Sequence, residues 1–194
     1  MDPKEKEKIP FITVYSVEDW RNWLRDNHLK EKKVGMIIYK KHTGKPSISH
    51  KIAMEEAIAF GWIDTTINKL DEEKYIRHFV RRGDNANWSK NTLKYGKKLL
   101  AEGRMSPHGE LRFKQGLKKK PHDYGIPDKP PMPHELKKAL SEKKIFEKFE
   151  AFPPSTKNMF YRWILRAKTD ATKKKRIESV VKKTIAGDKT ILVA

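Results

Sequence analysis

Two carboxylates near a glycine turn are the first residues in this sequence whose types and spacing could support chemistry. Glu56 falls near the end of a predicted helix, and Asp64 lies in a strand predicted to begin just after Gly61. Two carboxylates in different surroundings can act as a general acid and a general base. Carboxylates more often form structural ion pairs, and we favour that alternative. The basic residues available for such pairs are Lys40, Arg77, Arg81 and Arg82.

A basic, amide-rich segment follows the second strand of the predicted hairpin and leads into a helix. Arginine side chains and a helix start can together hold a phosphate or a carboxylate. Trp88 would either cover an apolar part of a ligand or fix the helix against the sheet, and we favour the second role. The candidate ligand-binding residues of this half of the chain are Lys40, Glu56, Trp62, Asp64, Arg82, Trp88 and Asn91.

Several kinds of chemistry have no support in the sequence. There are no cysteines, which excludes disulfides, thiolate nucleophiles and the common structural zinc sites. The seven histidines are scattered without the spacing of a metal site, and no nucleotide-binding or hydrolase motif occurs. We therefore expect no metal, no cofactor and no assignable catalytic residue, and we favour a non-enzymatic role.

Positive charge is the largest anomaly of the composition. The 194 residues include 44 Lys and Arg against 25 Asp and Glu, which gives a net charge of +19 at pH 7. The surplus is spread out, with eleven basic against four acidic residues in 90–129 and sixteen against seven in 134–194. Such a surface attracts nucleic acid, anionic lipid or acidic protein, although a lysine-rich composition can also serve solubility alone. We expect an anionic partner. Its candidate surface is the densest basic run, namely Lys173, Lys174, Lys175 and Arg176.

The pattern of apolar residues predicts an α+β domain with a small antiparallel or mixed sheet, followed by an all-helical module. Ser16 and Asp19 are spaced as a variant of the capping box that begins a helix. Short β-branched runs predict a strand over 34–40 and a hairpin over 62–80. In the second half of the chain, two antiparallel helices are expected to pack around Trp163.

Composition also divides the chain into segments. We predict a flexible N-terminus over 1–10, an α+β domain over 11–117, a Lys- and Pro-rich linker over 118–133 and a helical module over 134–194. No run approaches the roughly 18–20 consecutive apolar residues of a membrane span. Residues 1–14 lack the apolar core of a secretion signal, so we expect a cytoplasmic protein.

Several short strings of residues, taken together, resemble a known family. In the first half of the chain they are Ser16 to Trp20, Phe60 to Asp64 and Trp88 to Asn91. In the second half they are Pro153 to Ser155 and Tyr161 to Ile164. In these strings the chain is similar, over nearly its whole length, to the bacteriocin-protection, YdeI or OmpD-associated family.

The resemblance implies a helical C-terminal module and a role in protection against bacteriocins or cationic peptides, and it implies no particular reaction. A chain of charge +19 repels a cationic peptide, so we expect any protection to be indirect. We interpret the sequence as a non-enzymatic stress or envelope-protection protein that binds an anionic partner. One alternative is a small-molecule binding domain or an enzyme with a carboxylate, arginine and tryptophan cleft. Another is a structural protein whose exposed aromatic residues pair two copies.

Overall fold

The computed structural model describes residues 9–191 and divides into two compact units, Met1–Pro121 and His122–Ala194. The first unit combines a four-stranded sheet with helices, and the second consists mostly of helices, so the predicted α+β fold class is confirmed. Most of the predicted flexible segment 1–10 lies outside the described residues, and residues 118–133 form turns and loops. No helix within 9–191 is long and apolar enough to cross a bilayer.

Four strands and four α-helices make up the described part of the first unit. The strands are β1 (Phe11–Thr13), β2 (Lys33–Tyr39), β3 (Trp62–Lys69) and β4 (Lys74–Arg81). The helices are α1 (Val17–Asn27), α2 (His50–Ala59), α3 (Lys90–Ala101) and α4 (Pro107–Leu117). The strand order is β1-β2-β4-β3, in which β1 runs parallel to β2 and the other neighbours are antiparallel. The sheet is therefore mixed, and the predicted hairpin of β3 and β4 is confirmed.

Side-chain caps explain where the helices of the first unit begin. The Ser16 hydroxyl accepts the backbone N–H of Asp19 at 3.1 Å, and the Asp19 carboxylate accepts the N–H of Ser16 at 2.9 Å. The predicted capping box is therefore confirmed. Ser49, Ser89 and Ser106 accept backbone N–H groups in the first turns of α2, α3 and α4 in the same way.

Three fully buried aromatic side chains form the centre of the first unit. The Trp20 and Phe79 ring centroids lie 5.0 Å apart, and the Trp20 indole N–H donates to the Ala53 carbonyl at 3.0 Å. Trp62 donates its indole N–H to the His28 carbonyl at 3.1 Å. Because each indole N–H has a backbone acceptor, both tryptophans are buried without losing a hydrogen bond. Trp62, a candidate ligand-binding residue, therefore belongs to the core.

A glycine lets α4 begin directly against the end of α2. A Cβ atom at Gly109 would lie 2.0 Å from the Ala59 carbonyl oxygen, which is far inside van der Waals contact. The Ser106 N–H donates to the same oxygen at 2.9 Å. This close approach brings the turn before α4, which carries Arg104, to the side of α2.

The second unit is a small helical module. Its helices are α5 (His134–Glu142), α6 (Phe146–Glu150), α7 (Pro154–Leu165) and α8 (Asp170–Ala186). Phe149 and Phe160 are fully buried in its core. The expected packing around Trp163 is wrong, because this side chain is only partly buried at the edge of the core. The short helix α6 supplies Phe149 instead, and the Arg176 guanidinium lies 5.3 Å from the Trp163 ring centroid.

The contact between α2 and α4 predicts the effect of a methyl group at Gly109. Gly109→Ala should lower the free energy of unfolding by about 1–3 kcal/mol, because a backbone carbonyl cannot rotate away from the added Cβ. This loss should occur although Ala favours a helix over Gly by about 1 kcal/mol. Gly83→Ala is the control, since a Cβ there meets nothing within 4 Å. Urea denaturation of both variants measures the difference, and equal stability of the two would contradict the proposed packing.

Candidate functional site

The candidate ligand-binding residues of the first unit lie in different environments. Trp62 and Trp88 are buried in the core, whereas Asn91 is exposed in the first turn of α3. Glu56 and Asp64 belong to two separate ion-pair networks. The structure therefore does not bring these five residues to one accessible cleft.

Glu56 on α2 is a fully buried carboxylate held between two guanidinium groups. Its side chain is 2% exposed, and Arg21 from α1 donates to it at 2.5 Å. Arg104, from the turn between α3 and α4, forms the second ion pair. Arg21 also donates to the Arg104 carbonyl at 3.2 Å, so the three residues form one closed network. With both oxygens engaged, Glu56 joins α1, α2 and the turn before α4 rather than serving as a free acid or base.

Asp64 on β3 forms the second network. Its Oδ2 atom accepts from Arg77 Nη1 at 2.9 Å and from His50 Nε2 at 2.8 Å. Burial alone would raise the pKa of Asp64, but His50 and Arg77 together hold that pKa below its ordinary value. The favoured alternative of an ion pair is confirmed for Asp64 and Arg77. The partners of Glu56 lie outside the predicted set, as does His50.

Arg82 and Trp88 form a stacked pair inside the first unit. The Arg82 guanidinium carbon lies 3.8 Å from the Trp88 ring centroid, and Arg82 Nη1 donates to the Asn87 carbonyl at 2.9 Å. Burial lowers the pKa of Arg82 to about 10, so the side chain remains charged at neutral pH. Trp88 also contacts Phe113 on α4 in an edge-to-face arrangement, with the ring centroids 5.9 Å apart. These contacts match the packing role of Trp88 rather than a ligand-covering role.

Exposed lysines line one side of α3. Lys90, Lys94 and Lys97 are all exposed, and their spacing places them on one face, which we call the α3 lysine face. They span about 10 Å along the helix axis. The helix contains four lysines and no acidic residue, and Lys98 lies 3.9 Å from Glu55 and 3.7 Å from Glu102.

The predicted basic surface on α8 is divided by contacts within the second unit. Lys173 pairs with Glu135 at 2.5 Å, and Arg176 donates to the Trp163 carbonyl at 2.5 Å. Lys174 and Lys175 are exposed. Contacts within the second unit therefore hold two of the four side chains, and one of the two, Lys173, is neutralised by an acidic partner.

The sequence did not predict the two arginines that bind Glu56, because they lie far from it in the chain. Arg21 and Arg104 lie 35 and 48 positions from Glu56, and no local pattern connects them. The α3 lysine face did have a signal, because lysines at 90, 94 and 97 follow the helical repeat.

Removing the charge of Glu56 should reveal how strongly its network stabilises the fold. We expect Glu56→Gln to lower the free energy of unfolding by about 3 kcal/mol, because two arginines then face each other without a shared counter-charge. Glu110→Gln is the matched control, since Glu110 forms an exposed pair with Lys114 and should change stability by less than about 1 kcal/mol. Chemical denaturation separates the two, and a stable Glu56→Gln variant would contradict the structural role.

The lowered pKa of Asp64 predicts a pH dependence of stability. Ionised Asp64 stabilises the folded protein above about pH 4, and this contribution disappears as the pH falls through the folded-state pKa. Asp64→Asn should therefore be less stable than wild type at pH 7, and the difference should shrink below about pH 4. Asp26→Asn is the control, because the contact of this carboxylate with Arg25 is exposed and its loss should change stability at pH 7 by less than about 1 kcal/mol. Thermal unfolding at several pH values measures the difference.

Two family models match the chain. Residues 12–112 match a domain of unknown function, DUF8412, and residues 129–187 match the model described as "Bacteriocin-protection, YdeI or OmpD-Associated". No curated protein and no solved structure matches the chain significantly. The expected resemblance is thus confirmed over the helical module, while the first unit has a family model of its own. The chain therefore belongs to the DUF8412 family and carries a bacteriocin-protection, YdeI or OmpD-associated domain in its second half.

Proposed function

We propose that this protein is a non-enzymatic stress or envelope-protection factor that binds a phosphate-rich partner through the α3 lysine face. The observation that carries the proposal is a helix with four lysines and no acidic residue, whose Lys90, Lys94 and Lys97 point to solvent on one face. Nucleic-acid backbones and anionic lipid headgroups share the phosphate chemistry that such a face attracts. The family description supports a protective role.

The ion pairs of the structure support this proposal, because they pair buried carboxylates with arginines and leave lysines exposed. The carboxylates of Glu56, Asp64 and Asp123, whose side chains are at most 18% exposed, all accept from arginines, and Arg162 donates to Asp123 at 2.9 Å. Arginine suits these sites because its planar fork binds carboxylates with defined geometry. Acidic charge is thus partly neutralised inside the units, and the exposed surplus consists largely of lysine.

Lysine rather than arginine on this face favours binding without sequence readout. An ammonium group acts as a point charge toward phosphate, whereas arginine can read guanine with two hydrogen bonds. The alternative of a catalytic cleft gains no support from the geometry, because Glu56 and Asp64 serve separate ion pairs and Trp62 and Trp88 are buried.

Salt dependence tests the proposal. Binding of a fluorescent DNA duplex, and of vesicles containing phosphatidylglycerol, should weaken steeply when salt rises from about 50 to 200 mM. For the duplex, Lys94→Gln/Lys97→Gln should reduce the slope of log K against log salt by about 1.8, which corresponds to two lost phosphate contacts. The duplex and vesicle experiments identify which phosphate source the protein prefers.

The matched control removes two lysines that already have acidic neighbours. Lys69→Gln/Lys138→Gln loses the same net charge, but Lys69 pairs with Glu72 and Lys138 lies 3.9 Å from Glu142. We expect this variant to retain most of the wild-type slope. Equal losses in both double variants, or wild-type binding to both polyanions that is insensitive to salt, would refute the role of the α3 lysine face.

A further inference from the structure

A cavity of about 510 Å³ lies in the first unit, between the end of β2, the loop that follows it and the start of α2. Its volume falls within the range of small-molecule sites, which is about 300–1,000 Å³. Lys40, Lys41, Lys45 and His50 line it, and none of its lining residues is Asp or Glu. Lys40 is therefore the one candidate ligand-binding residue that the structure places at this cavity.

The three lysines of the cavity are only partly neutralised. Lys45 pairs with Glu73 at 2.8 Å, and both side chains are about half exposed. Lys40 donates to the Asp71 carbonyl oxygen at 2.9 Å, and this backbone contact leaves its charge uncompensated. Lys41 is exposed and has no ion pair within residues 9–191. The exposed pair of Lys45 is of the kind that contributes little, so an anionic ligand can compete with Glu73 at small cost.

The histidine of the cavity is held in a defined orientation. His50 Nε2 donates to Asp64 at 2.8 Å, and Asp64 is itself bound by the buried Arg77 at 2.9 Å. Asp64 thus acts as a positioning residue for the imidazole at the cavity wall. The N-cap Ser49 already accepts the Ile52 N–H, so the positive character of the cavity comes from side chains rather than from a free helix start.

Aromatic and aliphatic groups complete the wall of the cavity. Tyr39, Tyr75 and Ile48 line it beside the lysines. The Lys45 ammonium lies 4.8 Å from the Tyr39 ring centroid, which keeps its charge next to the apolar wall. A ligand that fits this lining therefore has an anionic group at one end and an apolar part at the other.

We propose that this cavity binds a small organic phosphate, with the phosphate group among Lys40, Lys41 and Lys45 and the apolar part against Tyr39 and Tyr75. A phosphate monoester carries a charge of about −1.5 to −2 at pH 7, which matches three ammonium groups better than a single carboxylate does. Lysine is an established phosphate ligand that acts as a point charge. This site is separate from the α3 lysine face.

Calorimetry with defined probes tests the site at constant ionic strength. Phenyl phosphate should bind with saturation, pyrophosphate should bind through its charge, and benzoate should bind at least tenfold more weakly than phenyl phosphate. Lys40→Gln/Lys41→Gln/Lys45→Gln should weaken phenyl phosphate binding at least tenfold. Benzoate binding as tight as phenyl phosphate binding, or a wild-type protein that shows no saturable binding of either phosphate, would overturn the proposal.

Two further variants keep the result interpretable. Lys69→Gln/Lys94→Gln/Lys97→Gln removes the same charge elsewhere and should bind phenyl phosphate as wild type does; an equal loss there would overturn the site. Lys41→Glu changes an exposed side chain without an ion pair, so it should weaken phenyl phosphate binding more than Lys41→Gln while leaving the melting temperature unchanged. Wild-type affinity in Lys41→Glu would also overturn the site. The α3 variants can lose DNA or vesicle binding without any change in phenyl phosphate binding. Each of the two proposals can therefore be refuted without refuting the other.

Discussion

The buried carboxylate of Glu56 is the constraint on which the arrangement of the first unit depends. A carboxylate with 2% exposure must be paired, because an isolated buried charge costs many kcal/mol. Its two partners come from α1 and from the turn before α4, so these segments must meet beside α2. The absence of a side chain at Gly109 permits that meeting, since α4 starts against the Ala59 carbonyl.

Arginine and lysine have different roles in this structure, because a buried carboxylate needs a charged partner and an exposed side chain does not. Arginines bind the buried carboxylates of Glu56 and Asp123 and the partly buried carboxylate of Asp64, where charged hydrogen bonds offset part of the desolvation. Lysines occupy the exposed face of α3 and the wall of the cavity beside β2. Of the basic residues behind the net charge of +19, these arginines stabilise the fold, whereas these lysines face the solvent. Both proposed interactions with phosphate depend on the exposed lysines.

Local features of the fold were predictable from the sequence, and features that depend on packing were not. The Ser16 capping box and the β3–β4 hairpin involve neighbouring residues, whose side chains determine the local backbone. The three-residue strand β1 is too short to show an alternating pattern, and it exists because β2 supplies its hydrogen bonds. Trp163 follows the apolar repeat of α7, yet Phe149 from another helix occupies the core centre.

By itself the sequence determined the charge surplus, the fold class, the start of α1 at Ser16 and the lysines that share a face of α3. Each of these depends on composition or on residues a few positions apart. Only the tertiary structure decided which partners the buried and half-buried carboxylates have. Glu56 and Asp64 are eight positions apart in the chain, but they serve different arginines because packing brings Arg21 and Arg104 to one and Arg77 to the other. The energy of a buried ion pair depends on distances across the fold, and those distances have no local signature in the chain.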